Sequence, residues 1–385
     1  MVAPQPFFEP RGTPFSVLGR LRALSALGHE VDLVTYHIGE DVQIPGLTIF
    51  RTLRIPFITQ ISIGPSVLKL FLDGFLLVKT LWMLLMRKYD LLHTHEEASF
   101  FGFVLAKLFG LRHLYDMHSS LPQQLKNFEY TKLAPMVSLF DWLERRVIDS
   151  SHAVITICPA LKSQVEAINT RVPHVMIENV ATEGNPDEVT EEASLQFRQA
   201  HGLVGKRVVL YTGTFEAYQG LDFLIDGAQQ VVQEHPDVMF LLMGGKPAQF
   251  AVYQQRAQAL GLQSYFRFTG MRPPKEVPIA LKICEVLVSP RSSGTNTPLK
   301  VYGYLQSGKP IVATNLYTHT QVLNPEVSIL VDTTSEAFGR GISSVLSDPH
   351  MAEQLGARAK QLFEEQYSFQ NYIKKTDHVL QMAMR

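Results

Sequence analysis

The sequence predicts an α/β chain of two doubly wound parallel-sheet domains facing across a cleft. Three observations predict it. The chain has 385 residues, two to three times a typical domain of ~100–200 residues. Short β-like apolar runs alternate with stretches of helical period, the pattern of a parallel sheet covered on both faces. The alternation stops at an acidic stretch and then starts again. Apolar residues make up 46% and charged residues 18% of the chain, which excludes wholesale disorder.

The elements follow in order. MVAP is a clipped apolar run at the start. From Pro14 to Leu27, apolar Val17, Leu18, Leu21, Leu24 and Leu27 recur at the helical period. Thr13 suits the cap, Pro14 the first turn and Gly28 the end. EVDLVTY, YDLLHTH, RHLYDMH and HAVITI read as strands. ASFFGFVLAKLFG and residues 135–149 read as helices, and 119–134 as a loop. Glu183, Asp187, Glu188, Glu191 and Glu192 come with no base among them, which marks the linker. RVVLYTGT, DVMFLLMGG, YFRFTG, EVLVSP, KPIVATN and VSILVD are the later strands. Helices are expected from Leu221, near 248–260, 274–282 and 298–307, and to the end. The expected division is a first domain over 1–180, a linker over 181–195, a second domain over 196–368, and a helix over 369–385 packing back on the first domain.

Lys plus Arg total 35 and Asp plus Glu 36. A net charge of -1 excludes a general nucleic-acid footprint. Two distant cysteines, Cys158 and Cys284, argue against a disulfide framework or a cysteine zinc site and fit a reducing cytosol. The N-terminus lacks the basic and apolar regions of a signal peptide. Residues 65–86, PSVLKLFLDGFLLVKTLWMLLM, resemble a membrane span interrupted by Lys69, Asp73 and Lys79. Each charge costs about 2.5–3.5 kcal/mol at a helix centre, so a true span is break-even at best. Ser66, Lys69, Asp73 and Thr80 form one narrow polar stripe. Two readings stay open: a domain helix buried on most sides, or one that also meets lipid, with Arg87 and Lys88 at anionic headgroups over 65–88.

Candidate chemistry sits at strand ends, where ligands of such sheets bind. Thr212–Gly213–Thr214, Gly244–Gly245–Lys246 and Thr269–Gly270–Met271–Arg272 end three successive strands. Glycine there admits close approach of a ligand, and the following helix N-terminus favours phosphate. Residues 289–314, SPRSSGTNTPLKVYGYLQSGKPIVAT, run from a strand through a polar loop into a helix. Asn296 and Thr297 suit its cap, and Arg291 and Lys300 suit a diphosphate. In HTHEE, His93 and His95 point the same way on a strand. No third ligand stands at a recognisable spacing, so no metal is expected.

The 289–314 segment resembles the nucleotide-binding signature of family-4 retaining glycosyltransferases of the GT-B fold, the bacterial group 1 type. GKPIVAT matches its Gly-x-Pro-Val-Val end, and Pro298 matches a common proline. The two signature glutamates fall at Thr295 and Gly303. GTFEAYQGLDFLIDG resembles the family's Gly-Arg-Leu…Lys-Gly stretch, with Thr214 and Gln219 where Arg and Lys are usual. ALGHEVDLVTY matches the Leu-x-x-x-Gly-His-x-Val pattern. The resemblance spans essentially the whole chain. It implies that His118 of DMHSSLP lies beside the donor sugar as the catalytic residue. It implies a donor site of Gly12, Thr13, Gly213, Thr214, Gln219, Gly244, Lys246, Met271, Arg272, Arg291, Thr295, Asn296, Thr297, Leu299 and Lys300. PRGTP, residues 10–14, occupies the family's first strand–helix loop, where Arg11 is placed to read a phosphate in the cleft; the expected acceptor-binding residues are Arg11, His95 and Glu96. MVAP is shorter than the family's first strand, which points to missing native N-terminal residues.

The expected activity is metal-independent, retaining transfer of a sugar from a nucleotide diphosphate sugar to an acceptor hydroxyl, on a lipid or a cell-envelope glycan. The co-substrate is the nucleotide sugar, and no further cofactor is expected. The expected location is cytoplasmic, peripheral to the inner face of the membrane. Two alternatives remain: a non-catalytic GT-B subunit supporting a partner transferase, and an epimerase of nucleotide sugars.

Overall fold

The computed structural model describes residues 1–9, 12–61, 66–120, 122, 134–181 and 184–385. Pro10, Arg11, Pro65, most of the expected loop 119–134, and Glu183 of the acidic stretch lie outside the described residues. The chain forms two compact units, Met1–Asn179 with Phe369–Arg385, and Val180–Ser368. The acidic stretch 181–195 falls in the second unit, with Glu191 and Glu192 in the first turn of a helix capped by Thr190.

The first unit contains β1 (Val2–Ala3), α1 (Gly12–Ala26), β2 (Val31–Thr35), β3 (Leu47–Arg51), α2 (Val67–Met86), β4 (Leu91–His95), α3 (Ser99–Phe109), β5 (Arg112–Met117), α4 (Ala134–Ser150), β6 (Ala153–Thr156), α5 (Pro159–Ile168) and β7 (His174–Met176). Its seven strands lie in the order β3-β2-β1-β4-β5-β6-β7, and every pairing is parallel. The strand order reverses beside β1, between β2 and β4. α3 ends at Gly110, whose φ of 66° lets its N–H close on Ala106 and Lys107. The β4–β5 register sets His95 opposite Asp116 and His93 opposite Leu114.

The second unit contains α6 (Glu191–His201), β8 (Arg207–Thr212), α7 (Leu221–Glu234), β9 (Val238–Met243), α8 (Pro247–Ala259), β10 (Phe266–Gly270), α9 (Val277–Ile283), β11 (Val286–Ser289), α10 (Lys300–Ser307), β12 (Ile311–Thr314), α11 (Tyr317–Thr320), β13 (Ile329–Val331), α12 (Ser335–Ser347) and α13 (Pro349–Leu362). Six parallel strands run β10-β9-β8-β11-β12-β13, with the reversal between β8 and β11. Val209, Tyr211, Phe240, Leu242 and Val288 face one core, and Val208, Leu210, Leu241 and Leu287 the other. The sheet is thus covered on both sides. The last helix, α14 (Phe369–Met384), belongs to the first unit and packs on α1.

Two edge strands, β3 and β7, are absent from the sequence reading. Each is half-buried or exposed along its length, so neither carries a clean apolar run. Two caps are corrected. Thr13 lies inside α1 as its second residue and does not precede it. Asn296 and Thr297 do not cap α10, which starts at Lys300 after Leu299 with no side-chain cap. A turn from Pro298 to Val301 leads into that helix, and the Asn296 carbonyl is taken by Arg291 and Thr318.

α2 is capped by Ser66, which accepts from the Lys69 N–H at 3.2 Å. Its polar stripe turns inward: Asp73 accepts from the Tyr36 hydroxyl at 2.6 Å, and Thr80 is buried. Leu72, Leu76, Met83 and Leu84 are buried, while Val67, Leu70, Phe71, Val78, Trp82 and Leu85 are exposed. The helix is therefore not buried on most sides. Among the described residues no helix is long and apolar enough to cross a membrane.

Helices α7 and α12 meet backbone to backbone. A Cβ on Gly227 would stand 2.4 Å from the Ser335 carbonyl oxygen, and one on Gly339 2.6 Å from that of Gly227. Gly227→Ala is predicted to destabilise the second unit by about 1–3 kcal/mol. Gly74→Ala, on α2 with nothing within 4 Å of a new Cβ, is predicted to stabilise by about 0.5–1 kcal/mol. Chemical denaturation of the two variants checks both signs.

Candidate active site

In the first unit the β4–β5 register gathers His93, His95, Asp116 and His118. Asp116 is fully buried. Its Oδ2 accepts from Arg20 Nε at 3.0 Å and lies 3.3 Å from His93 Nε2, while its Oδ1 lies 3.0 Å from His118 Nε2. The His93 and His95 rings stack at 4.9 Å, and His95 Nδ1 is 3.3 Å from His118 Nε2. Burial pushes His93 down to about 4 and holds His95 well below the usual imidazole range. Burial alone would raise Asp116, but the Arg20 charge, followed by His118 and His95, holds it well below the usual carboxylate range.

His93, His95 and Asp116 offer donor atoms within 4.8 Å of one another, so Asp116 is the third group that spacing alone did not reveal. Arg20 places its guanidinium on the same carboxylate, where a metal ion would need to approach. The donor set fits a hydrogen-bonded network better than a metal centre. His95 is fully buried inside it, so direct contact with an acceptor sugar, expected from the sequence, is replaced by contact with His118.

Next to this network, Glu96, Glu97, Phe100, Tyr115, Ser119 and Glu144 line a small pocket. Glu96 has a φ of 45°, rare outside glycine, and its carboxylate accepts from the Ser119 hydroxyl at 3.4 Å. Burial, then the charge of Glu96, pushes Glu97 up to about 7. Glu144 accepts from Ser120 and Gln164, and burial pushes it up to about 7. Sequence reasoning missed Asp116, Arg20 and Glu144. Asp116 stands two residues before His118, a signal that was available; Arg20 and Glu144 arrive from α1 and α4 and carry none.

In the second unit Gly213, Gly244 and Arg291 lie just past the carboxyl ends of β8, β9 and β11, and Lys300 opens α10. Gly213 follows β8 with φ 138°, and a Cβ there would meet the Tyr211 hydroxyl at 3.2 Å and Lys300 Nζ at 3.6 Å. A Cβ on Gly244 would stand 1.9 Å from the Gly213 carbonyl oxygen. Lys300 Nζ sits 3.8 Å from the Tyr211 ring centroid and donates to Gln219 Oε1 at 3.3 Å. Burial, then the charge of Arg291, holds the ammonium well below the usual lysine range. Arg291 spends Nη1 on the Asn296 carbonyl at 2.9 Å and on Thr318 Oγ1 at 3.1 Å, and its Cζ lies 5.0 Å from the Tyr218 ring centroid. Its buried Nε has no hydrogen-bond partner among the described residues, and neither does Thr297 Oγ1. Among the described residues no carboxylate lies within 4 Å of Lys300 or Arg291 in an ion pair.

The other expected donor residues are more dispersed. Tyr211 donates to the Thr214 carbonyl at 2.7 Å, and the Thr295 carbonyl accepts from Gln321 at 2.6 Å. Leu299 is half-buried at the start of α10. Lys246 is exposed and caps α8, its N–H donating to Gln249. Met271 is 63% exposed, and Arg272 is held by Glu276 at 2.8 and 3.0 Å. Gly12 and Thr13 open α1 in the first unit. Both cysteines are free and buried.

Comparison with known proteins agrees with these two units. Residues 11–179 match the family described as Glycosyltransferase Family 4, and residues 194–362 match Glycosyl transferases group 1. The chain belongs to this glycosyltransferase family and has the GT-B fold. The putative glycosyltransferase YtcC of Bacillus subtilis (strain 168) is 25% identical over 199 residues, 49% of this chain and 48% of that one, about half of each. Sucrose-phosphate synthase (tll1590) from Thermosynechococcus elongatus has a TM-score of 0.80 at 18% identity, covering 99% of this chain and 98% of that one. Anabaena Alr3699/HepE in complex with UDP and glucose has a TM-score of 0.76 at 16% identity, with the same coverage. The two structures show the fold.

The raised Glu144 carboxyl makes a pH prediction. In the folded chain it keeps its proton up to about 7, whereas its ordinary value is 4.5. Between these values the native state binds more protons than the unfolded one, so stability falls as pH rises. Glu144→Gln mimics the protonated form. Denaturation across this pH range is predicted to give a shallower fall for the variant than for the wild type.

Proposed function

We propose that the chain transfers a glycosyl group, with retention, from a nucleoside diphosphate sugar to an acceptor hydroxyl without needing a metal ion. The observation that carries this is the pair of cations, Lys300 and Arg291, set at the β8–β11 reversal beside Gly213 without carboxylate partners among the described residues. Parallel sheets bind ligands in the crevice at such a reversal. A half-buried ammonium whose burial disfavours its charge has most to gain from an arriving anion. Phosphate supplies that charge, and the N-terminus of α10 adds backbone N–H groups. Lys300 and Arg291 take over the task of the arginine and lysine that the family carries at the positions of Thr214 and Gln219.

The diphosphate is the leaving group. Stabilising the negative charge that builds on it as the glycosidic bond breaks is the main catalytic demand. His118 of the first unit is the group we assign beside the transferred sugar, and the Glu96, Glu97 and Glu144 pocket is the candidate acceptor region. HepE, of the same fold, is complexed with UDP and glucose, which makes a uridine nucleotide the first donor to try. A second reading, a non-catalytic subunit, draws on Thr295 and Gly303 at the positions of the family's glutamates. Turnover of a nucleotide sugar by the purified chain, assayed across UDP-, GDP- and ADP-sugars, separates the two.

Lys300→Ala is predicted to weaken nucleoside diphosphate binding by about 1.5–3 kcal/mol, the range of a charge-assisted hydrogen bond. Binding of the free nucleoside should stay almost unchanged. Calorimetry with a UDP, GDP and ADP panel in EDTA measures both. Equal losses for diphosphate and nucleoside would show a structural role for Lys300.

The exposed face of α2 supports peripheral attachment to a bilayer, with an acceptor in or near it. Val67, Leu70, Phe71, Val78, Trp82 and Leu85 point to solvent, and Arg87 and Lys88 close the helix. The wild type is predicted to sediment with anionic vesicles at low salt. Trp82→Glu with Leu85→Glu should leave it folded and in the supernatant, because both side chains are exposed. A wild type that stays in the supernatant refutes the attachment.

A further inference from the structure

We propose that the last helix of the chain sets the imidazole of His118, acting through Arg20 and Asp116. The chain of contacts runs within one unit. Tyr372 and Thr376 of α14 hold the Arg20 guanidinium: its Cζ lies 4.8 Å from the Tyr372 ring centroid, and Nη1 donates to Thr376 Oγ1 at 2.8 Å. The direction of that bond is fixed, because the Thr376 hydroxyl spends its own proton on the Tyr372 carbonyl at 2.8 Å. Arg20 Nε then donates to Asp116 Oδ2, leaving Oδ1 turned to His118 Nε2 at 3.0 Å. Arg20, Asp116 and Thr376 are all essentially without solvent contact.

A buried ion pair is a poor source of stability, since desolvation of both charges offsets their attraction. Its benefit here is orientation. An aspartate that accepts from one ring nitrogen fixes the histidine tautomer and the ring plane, and it stabilises the imidazolium when the ring takes a proton. Oδ1 has no other aligned donor among the described residues; a His118 Nε2–H turned to it at 3.0 Å, rather than to His95 Nδ1 at 3.3 Å, leaves the lone pair of the neutral ring on Nδ1. The charged and titratable groups around this carboxylate are Arg20 from α1, His93 and His95 from β4, His118 after β5, and Tyr372 from α14. Arg20 is the one fixed cation among them. Without its clamp, the guanidinium is free to swing and the carboxylate loses the partner that fixes its second oxygen. Arg20, Asp116, Tyr372 and Thr376 are therefore positioning residues.

This inference rests on the reading of His118 as the imidazole beside the transferred sugar, and the test keeps the two apart. The first readout needs no activity: nitrogen NMR of histidine-labelled full-length protein, with the His118 signals assigned by their loss in His118→Ala. The wild type should show the Nε2-protonated tautomer. Asp116→Asn should abolish that preference, Thr376→Val should weaken it, and Thr376→Ser should restore it. The second readout is kinetic. Thr376→Val should lower kcat about five- to tenfold, the equivalent of one hydrogen bond, with donor KM unchanged, and Thr376→Ser should return to the wild-type rate. If Asp116→Asn does not fold, Thr376→Val and Tyr372→Leu carry the test. An unchanged His118 tautomer in Thr376→Val, with only a lower Tm, overturns the inference. Full activity in His118→Ala overturns the role of His118 instead, and the NMR result still decides the positioning chain.

Discussion

A parallel strand cannot be joined to its neighbour by a tight turn, and that constraint organises both units. Every pairing in the two sheets is parallel. Each strand therefore leaves the sheet at its carboxyl end, and the chain crosses back over a face to the opposite end before the next strand begins. The crossovers bury both faces under apolar side chains, so polar groups collect at the strand ends. His95, His118, Gly213, Gly244 and Arg291 all stand within two residues of such an end. The same constraint places the reversals at β1 and between β8 and β11, where two crossovers diverge and leave a crevice.

The two strand edges solve opposite electrostatic problems. In the first unit a buried carboxylate, Asp116, is compensated within the unit by Arg20. The neighbouring His93 and His95 are held neutral by burial, so the set is close to charge-balanced around His118. In the second unit Lys300 and Arg291 lie near one another, and burial, then repulsion by Arg291, lowers the preference of Lys300 for its proton. No carboxylate among the described residues relieves them. A balanced network suits a group that must be held still, whereas an uncompensated one suits a site that waits for an anion.

Much of this was legible in the sequence, and the failures share a cause. The helical period of α1, the apolar β8 and β9 runs and the glycines at 213, 244 and 270 are local signals, and the fold follows from them. β3 and β7 escaped notice because an edge strand is half-exposed and needs no continuous apolar run. Thr13, Asn296 and Thr297 have cap chemistry, but a cap depends on where the preceding turn places the first free N–H, and that is decided by neighbours such as Pro298. The polar stripe of α2 left open which face of the helix is buried; Tyr36 draws Asp73 inward, and leucines such as Leu70 and Leu85 stay outside. Arg20 and Thr376 lie 356 positions apart and meet Asp116 only through the fold. The long-range members of such a network have no local spacing to betray them.

The central claim is that Lys300 and Arg291 form a site for a nucleoside diphosphate. Phosphorus NMR of UDP, GDP and ADP titrated with the full-length protein tests it directly. The account predicts that the terminal phosphorus of a bound diphosphate shifts and that its last ionisation moves to lower pH, because nearby cations favour the more highly charged form. A Lys300→Met variant should reverse most of that displacement. A terminal phosphorus that titrates as in free solution at saturating protein, for every nucleotide tried, would contradict the account.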